Sequence, residues 1–477
     1  MNSAALSEAK RSLIQKYLQG KASAIARTPD INFDPAHAST APLSPTQEGI
    51  WRNAQRSGVP PFYNESITIH RNGPVNPEIL QNSILEILRR HAAWRTTFQL
   101  LNGTPVQVVH EPPSSFPIHL VDVSNLAPDQ RDEAARRAAQ PDVDRPYDLA
   151  VGPLVRATLV RLANDKYRLY LAVHQIVIDG VTAYHVFFPE LVSIFEAFAN
   201  GKSCPLPEVS ASYTKLCHDQ RTCFEHPPQA KLAFWRRVLG GELPVLQWPN
   251  DRPRPPQRTF RGTFQPFTLP FELSEALNDL SQQQGVTLFI TLLAGFFAIL
   301  HCYTRQEDVV IGTVAPAGRK QPGASQVLGY FLNPLPLRVD LSGNPTICEL
   351  LRRVQRVVLS ALSNDEVPFE TLVEALQADT DPSRNPFFQV AASLEPAVPQ
   401  LGPSWDLTPM DIASGGGRWD IYLVWDRRPV GIIGRVQYNP DLFEPSAILR
   451  LLEHQQQILT QFISHPNRLL SELSLAN

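Results

Sequence analysis

The stretch that most constrains this 477-residue chain is an apolar run that stops abruptly in a polar cluster. Tyr167 to Val173 reads as a strand. It is followed by His174-Gln175-Ile176-Val177-Ile178-Asp179-Gly180, after which a helical pattern runs from Thr182 to Ala199. The preceding run, Leu154 to Leu162, forms a hairpin with it around Ala163-Asn164-Asp165-Lys166. A strand this apolar is buried, so the side chains at its end arrive beside the core. Asp179-Gly180 is a turn that feeds a helix.

The same mixture of strands and helices continues along the chain. Ser44 is a candidate N-cap with Pro45 at the first helical position. Ile67 to His70, Thr97 to Leu101 and Gln107 to His110 read as strands. Pro77 to His91 is an amphipathic helix with Ile79, Leu80, Ile84, Leu85 and Leu88 inward, and Ala127 to Ala139 is a charged helix. In the second half, helices are expected near Ala230 to Leu239, Ser274 to Gln283, Leu288 to Tyr303, Ile347 to Ser360 and Ser446 to Ile463. Strands are expected at Asp308 to Thr313, Leu335 to Val339, Phe387 to Ala392, Trp419 to Asp426 and Ile432 to Tyr438. Interspersed elements of both kinds imply a mixed α/β architecture. Leu6 to Leu18 has helical spacing and leads into a polar stretch, so residues 1–41 read as an N-terminal helix and linker. The folded part divides into 42–205 and 206–477.

The net charge of -3 and the 19% charged residues give no support for a nucleic-acid or membrane partner. The longest largely apolar run, Thr287 to Leu300, is shorter than the ~20 residues a membrane span needs and reads as a core helix. Five cysteines, an odd number, and an N-terminus without a signal pattern point to reduced thiols in a cytoplasm. Cys217, His218, Cys223 and His226 match no common zinc spacing, so no metal is expected.

Several separated segments, in order, resemble the condensation domains of nonribosomal peptide synthetases. They are Leu43-Ser44-Pro45-Thr46-Gln47-Glu48-Gly49-Ile50-Trp51, Arg90 to Phe98, the His174 cluster, Tyr303 to Thr313 with Arg319, Gly329 to Arg338, Val367-Pro368-Phe369-Glu370, Arg384-Asn385-Pro386-Phe387 and Tyr438 to Phe443. The resemblance spans about residues 42 to 470. It implies two chloramphenicol-acetyltransferase-like lobes in a V-shaped pseudo-dimer, with a central tunnel and the motif at its middle. It also implies donor and acceptor carrier proteins and neighbouring synthetase modules as partners. Phosphopantetheine arms arrive on the carriers, so no bound cofactor is needed.

The family's motif is His-His-x-x-x-Asp-Gly, and its second His is the candidate general base. This chain has Gln175 there. Amide formation needs a neutral amine, an aligned thioester carbonyl and a place for the amine proton. A His near pKa ~6.5 can take that proton; Gln offers a carbonyl acceptor and an NH2 donor but does not titrate. Gln175 can still orient the amine, and an α-amine of pKa near ~8 is partly neutral at pH 7. The alternatives are a degenerate domain that recruits a tailoring enzyme or gates a carrier-bound intermediate, or altered acyl chemistry such as ester formation or dehydration. His174 reads as a buried core His or as a substitute base. By resemblance, Asp179 pairs with Arg319 and shapes the turn. Gly180 permits close backbone approach of the pantetheine arm or simply makes a tight turn, and Asn385 either faces the tunnel and binds substrate or forms a turn.

Overall fold

The computed structural model describes residues 39–225, 229–249, 251–376, 381–399, 401–409 and 411–475. The helix expected over Leu6 to Leu18 lies outside them, as do His226 and the side chain of Cys223. The strands of the first half are β1 (Ser39–Pro42), β2 (Asn64–Asn72), β3 (Thr96–Leu101), β4 (Thr104–Val109), β5 (Ile118–Asp122), β6 (Val155–Ala163) and β7 (Lys166–His174). Those of the second half are β8 (Thr263–Thr268), β9 (Asp308–Ala315), β10 (Asn333–Asp340), β11 (Val390–Leu394), β12 (Trp405–Pro409), β13 (Ile421–Arg428) and β14 (Gly431–Tyr438).

They form three sheets, ordered β1-β4-β3, β12-β2-β7-β6-β5 and β10-β9-β11-β13-β14-β8. The β6–β7 hairpin forms as its apolar alternation and four-residue turn dictate. β12 comes from the second half yet pairs antiparallel with β2, placing Leu407 opposite Ile69. The two halves of the chain are thus stitched through one five-stranded sheet.

Helices cover the sheets where their apolar faces require it. Pro77–Arg90 starts on an Asn76 cap and buries Leu80, Ile84, Ile87 and Leu88, while Ile79 and Leu85 stay at the rim of its inner face. Leu288–Thr304 is buried from Ile290 to Leu300, as expected of a core helix. No single helix among the described residues is long and apolar enough to cross a membrane. The charged helix runs Pro128–Asp144, beyond its expected end, with Pro141 inside it.

One core fills the second half, around Trp235, Phe296, Phe297, Phe388 and Trp425. A small third core lies under the helix Pro128–Asp144, and another packs on the five-stranded sheet. The latter includes Tyr213, Leu328, Phe331 and Trp405, all from beyond residue 205. The segment around 324–332 therefore packs on the side of the five-stranded sheet, directly against the motif.

Candidate functional site

β7 delivers His174 to the edge of the core, and a single tight helical turn, Gln175–Val177, follows. The loop is held from both sides. The backbone N–H of Gln175 donates to the Tyr63 carbonyl at 2.8 Å. Gln47, from the capped helix Pro45–Ala54, donates from Nε2 to the Ile176 carbonyl at 3.2 Å.

Asp179 caps the next helix. Its Oδ1 accepts from Thr182 N–H at 2.8 Å, and Thr182 Oγ1 accepts from Asp179 N–H at 3.0 Å. Its Oδ2 accepts from Phe331 N–H at 2.8 Å. One carboxylate therefore ties the motif to the 324–332 segment. The helix then widens to a π-turn at Ala183–Phe187 before Phe188–Ala199. Pro189 explains this, since a proline has no N–H to give and its ring crowds the carbonyl four residues back.

The expected direct pairing of Asp179 with Arg319 is not what the chain makes. Both Asp179 oxygens are already taken by backbone N–H groups. Arg319 instead donates to the carbonyls of Ala324 and Val327, at 2.9 and 3.4 Å, and lies 5.0 Å over the Phe331 ring. Arg319 thus shapes the segment that reaches Asp179, and acts on the carboxylate through space. Burial pushes the Asp179 carboxyl up and Arg319 pulls it back.

Between the two halves lies a cavity of about 360 Å³. Gln175, Asp179 and Gly180 line it; His174 does not. His174 is buried between Tyr63 and Tyr147, each with ring centroids 5.9 Å away, and its Nδ1 accepts from Ile176 N–H at 3.3 Å. Burial, and then Arg156, push its pKa down to about 3. The ring is a neutral core group turned away from the cavity. Gln175 is 4% exposed, and its Oε1 has no hydrogen-bond partner among the described residues.

Gly180 faces Glu395: a methyl group on Gly180 would sit 3.1 Å from Glu395 Oε2. Asn385 lies apart, beside a smaller cavity of about 90 Å³ with Tyr63, Tyr330 and Glu370. Its Nδ2 donates to the Arg418 carbonyl at 2.9 Å. Arg418 lines both cavities, whereas Asn385 lines the smaller one and not the central one. No group of three or more His, Cys, Asp or Glu among the described residues is arranged to hold a metal.

The charges inside the cavity were not singled out from sequence: Glu65, Glu395, Arg418 and Arg435. Glu395 and Arg435 form an ion pair at 2.9 Å. Alternation along β2 carried a signal, because Glu65 shares its face with buried Ile67 and Ile69. A charge in register with a buried face is paired or functional. Hydrocarbon from Phe289, Leu335, Leu337, Val358 and Ala361 lines the same cavity.

The condensation-domain family model matches residues 37–477. A linear gramicidin synthase of Brevibacillus parabrevis is 33% identical over 445 residues, covering 91% of this chain and 9% of that protein. Chondramide synthase of Chondromyces crocatus is 35% identical over 450 residues, covering 92% of this chain and 11% of that protein. The chain spans about a tenth of the length of these curated relatives. The first condensation domain of the calcium-dependent antibiotic synthetase superposes with a TM-score of 0.81 at 19% identity, covering 92% of this chain and 100% of that one. The X-domain from teicoplanin biosynthesis superposes with a TM-score of 0.78 at 23% identity, covering 95% and 99%. The shared fold is two chloramphenicol-acetyltransferase-like lobes.

Proposed function

Because the chain belongs to the condensation-domain family, we propose that it joins a carrier-bound acyl or peptidyl thioester to the amine of a carrier-bound amino acid, with Gln175 positioning the amine. One observation carries this reading. The side chain at the family's base position opens on a sizeable cavity between the lobes and has an acceptor oxygen with no partner among the described residues. A buried carbonyl without a hydrogen bond costs ~1–3 kcal/mol. An incoming amine N–H would relieve that cost at the place where reaction is needed. Holding the amine against the thioester carbonyl supplies effective concentration even without proton transfer from residue 175.

On this reading donor and acceptor carriers bring their phosphopantetheine arms to the two mouths of the cavity, and Gly180 leaves room beside the motif. The hydrocarbon wall around Leu337, Val358 and Ala361 suits an apolar acyl or side-chain group. A second reading is favoured by the identity of residue 175 itself. Gln does not titrate, and in this reading the domain recruits or gates while its Gln-bearing site stays idle.

Transfer between loaded carriers, followed by intact-protein mass spectrometry, tests the proposal. The chain as given is expected to form condensed product, and Gln175→Ala to lose at least ten-fold in rate. Product only from Gln175→His would replace the catalytic reading with recruitment or gating.

A further inference from the structure

We infer that Glu65 is the catalytic proton acceptor of this site, doing what Gln175 cannot. The inference rests on the catalytic reading above. Backbone register places the two residues together: Glu65 is opposite Val173 in the β2–β7 ladder, and the next same-face pair is Tyr63 with Gln175, joined by the 2.8 Å bond between them. Glu65 and Gln175 are therefore diagonal neighbours, a relation that puts residues about 7–8 Å apart. Both line the central cavity. An amine between them can meet a carboxylate on one side and the Gln175 carbonyl on the other.

Among the described residues, three carboxylates line the cavity, and two are already committed. Asp179 accepts from the backbone of Thr182 and Phe331, and Glu395 is paired with Arg435. Glu65 is half-buried and makes no hydrogen bond or ion pair with any described residue. Its lone pairs are free to face a substrate. The charges that act on it are Arg418, Arg435 and Glu395. Burial is the largest influence and pushes its carboxyl above the ordinary Glu range, with the arginines pulling it back. A carboxylate made more basic by burial is better matched to accepting a proton near neutral pH.

The step balances without a co-reactant. The amine nitrogen attacks the thioester carbonyl carbon and the C–N bond forms. The Glu65 carboxylate takes the nitrogen's proton while Gln175 Oε1 accepts the remaining N–H. The tetrahedral centre collapses, the C–S bond breaks, and the proton passes from Glu65 to the departing sulfur. Glu65 is ionised again, and the products are an amide and a free pantetheine thiol.

The test uses the full chain, donor carriers bearing octanoyl or phenylacetyl thioesters, and acceptor carriers bearing glycine, leucine or phenylalanine. The given chain is compared with Glu65→Gln, Gln175→His and the double variant, each checked by thermal unfolding. Glu65→Gln is expected to lower kcat by ~10²–10⁴-fold, with KM for the acceptor carrier changed only a few-fold. The acid limb of the pH–rate profile should vanish with it. Adding Gln175→His should restore turnover, which a merely structural role for Glu65 would not allow. Turnover by the given chain that Glu65→Gln leaves intact would overturn this inference and spare the proposed function. No turnover by the given chain would overturn both.

Discussion

The two walls of the central cavity differ in kind. The wall from the five-stranded sheet carries its polar groups on tightly bonded backbone: Gln175, Asp179 and Gly180 follow β7 directly, with Glu65 on the neighbouring strand β2 and Ile67, Ile178 and Val181 between them. The second half contributes two kinds of lining: hydrocarbon from the helix Ile347–Leu362, the helix Leu288–Thr304 and β10, and charge from Arg418 and the Glu395–Arg435 pair. The first wall is fixed by hydrogen bonds that leave little slack, as reaction geometry requires. The hydrocarbon part of the second is fixed by packing rather than by hydrogen bonds. On the proposed function, positioning would fall to the motif side and acyl selectivity to the hydrocarbon of the second half.

The largest effect should come from cutting the tie that holds the polar wall to the rest. Asp179→Ala strips the acceptor from two buried N–H groups, Thr182 and Phe331. Each orphaned buried donor costs ~1–3 kcal/mol, so a loss of about 2–6 kcal/mol in unfolding free energy is expected. Asp179→Asn keeps one acceptor and should lose roughly half as much. Denaturant unfolding measures both. A loss under ~1 kcal/mol for Asp179→Ala would mean that the 324–332 segment is held without this bond.

The polar wall was legible in sequence because its elements are local. An apolar strand, a turn and a capped helix each announce themselves within ten residues, and the β6–β7 hairpin and the Asp179 turn follow from that. What joins the walls was not legible. β12 has no strand signature of its own and exists through pairing with β2, far away in sequence. β8 contains Pro266, which argues against a strand until it is seen to lie at a sheet edge. β5 is another edge strand with little burial to pattern it. The pairing expected between Asp179 and Arg319 failed for a related reason. The local Thr182 N–H took one carboxylate oxygen and the distant Phe331 N–H the other, and the position of Phe331 N–H cannot be read from residue types.

The hydrocarbon wall should respond in selectivity. Ala361 sits on the inner face of Ile347–Leu362 and is 2% exposed. Ala361→Phe fills part of the cavity opposite the motif. Transfer of an octanoyl or phenylacetyl group should fall about 10–100-fold relative to an acetyl group, given ~1–3 kcal/mol for a misfit in an apolar pocket. The overpacking cost of ~1–3 kcal/mol is followed by thermal unfolding. An equal loss for large and small donors would place the acyl group elsewhere and remove the contrast between the walls.

At neutral pH the smallest effect is the one that separates His174 from its neighbour Gln175, two adjacent residues with opposite surroundings; it grows only as the pH falls. His174 is held near pKa 3 by burial and by Arg156, while an unfolded His titrates near ~6.5. Between those values the unfolded chain binds a proton that the folded chain refuses. Its contribution is thus fully present above pH ~6.5 and is lost as pH falls toward about 3, with a slope of at most ~1.4 kcal/mol per pH unit. Glu370, beside the smaller cavity, has the opposite sign. Burial lifts it to about 7, so its contribution is full below ~4.5 and is lost as pH rises through 7. His174→Asn keeps an acceptor for Ile176 N–H and removes the titration. Its stability should therefore fall less steeply than the parent's between pH 6.5 and 3, while Glu370→Gln should flatten the rise in instability toward pH 7. Unfolding free energies measured across that range decide the matter. An acid limb identical in the parent and in His174→Asn would mean that the imidazole reaches solvent, and would restore His174 as a group able to serve the cavity.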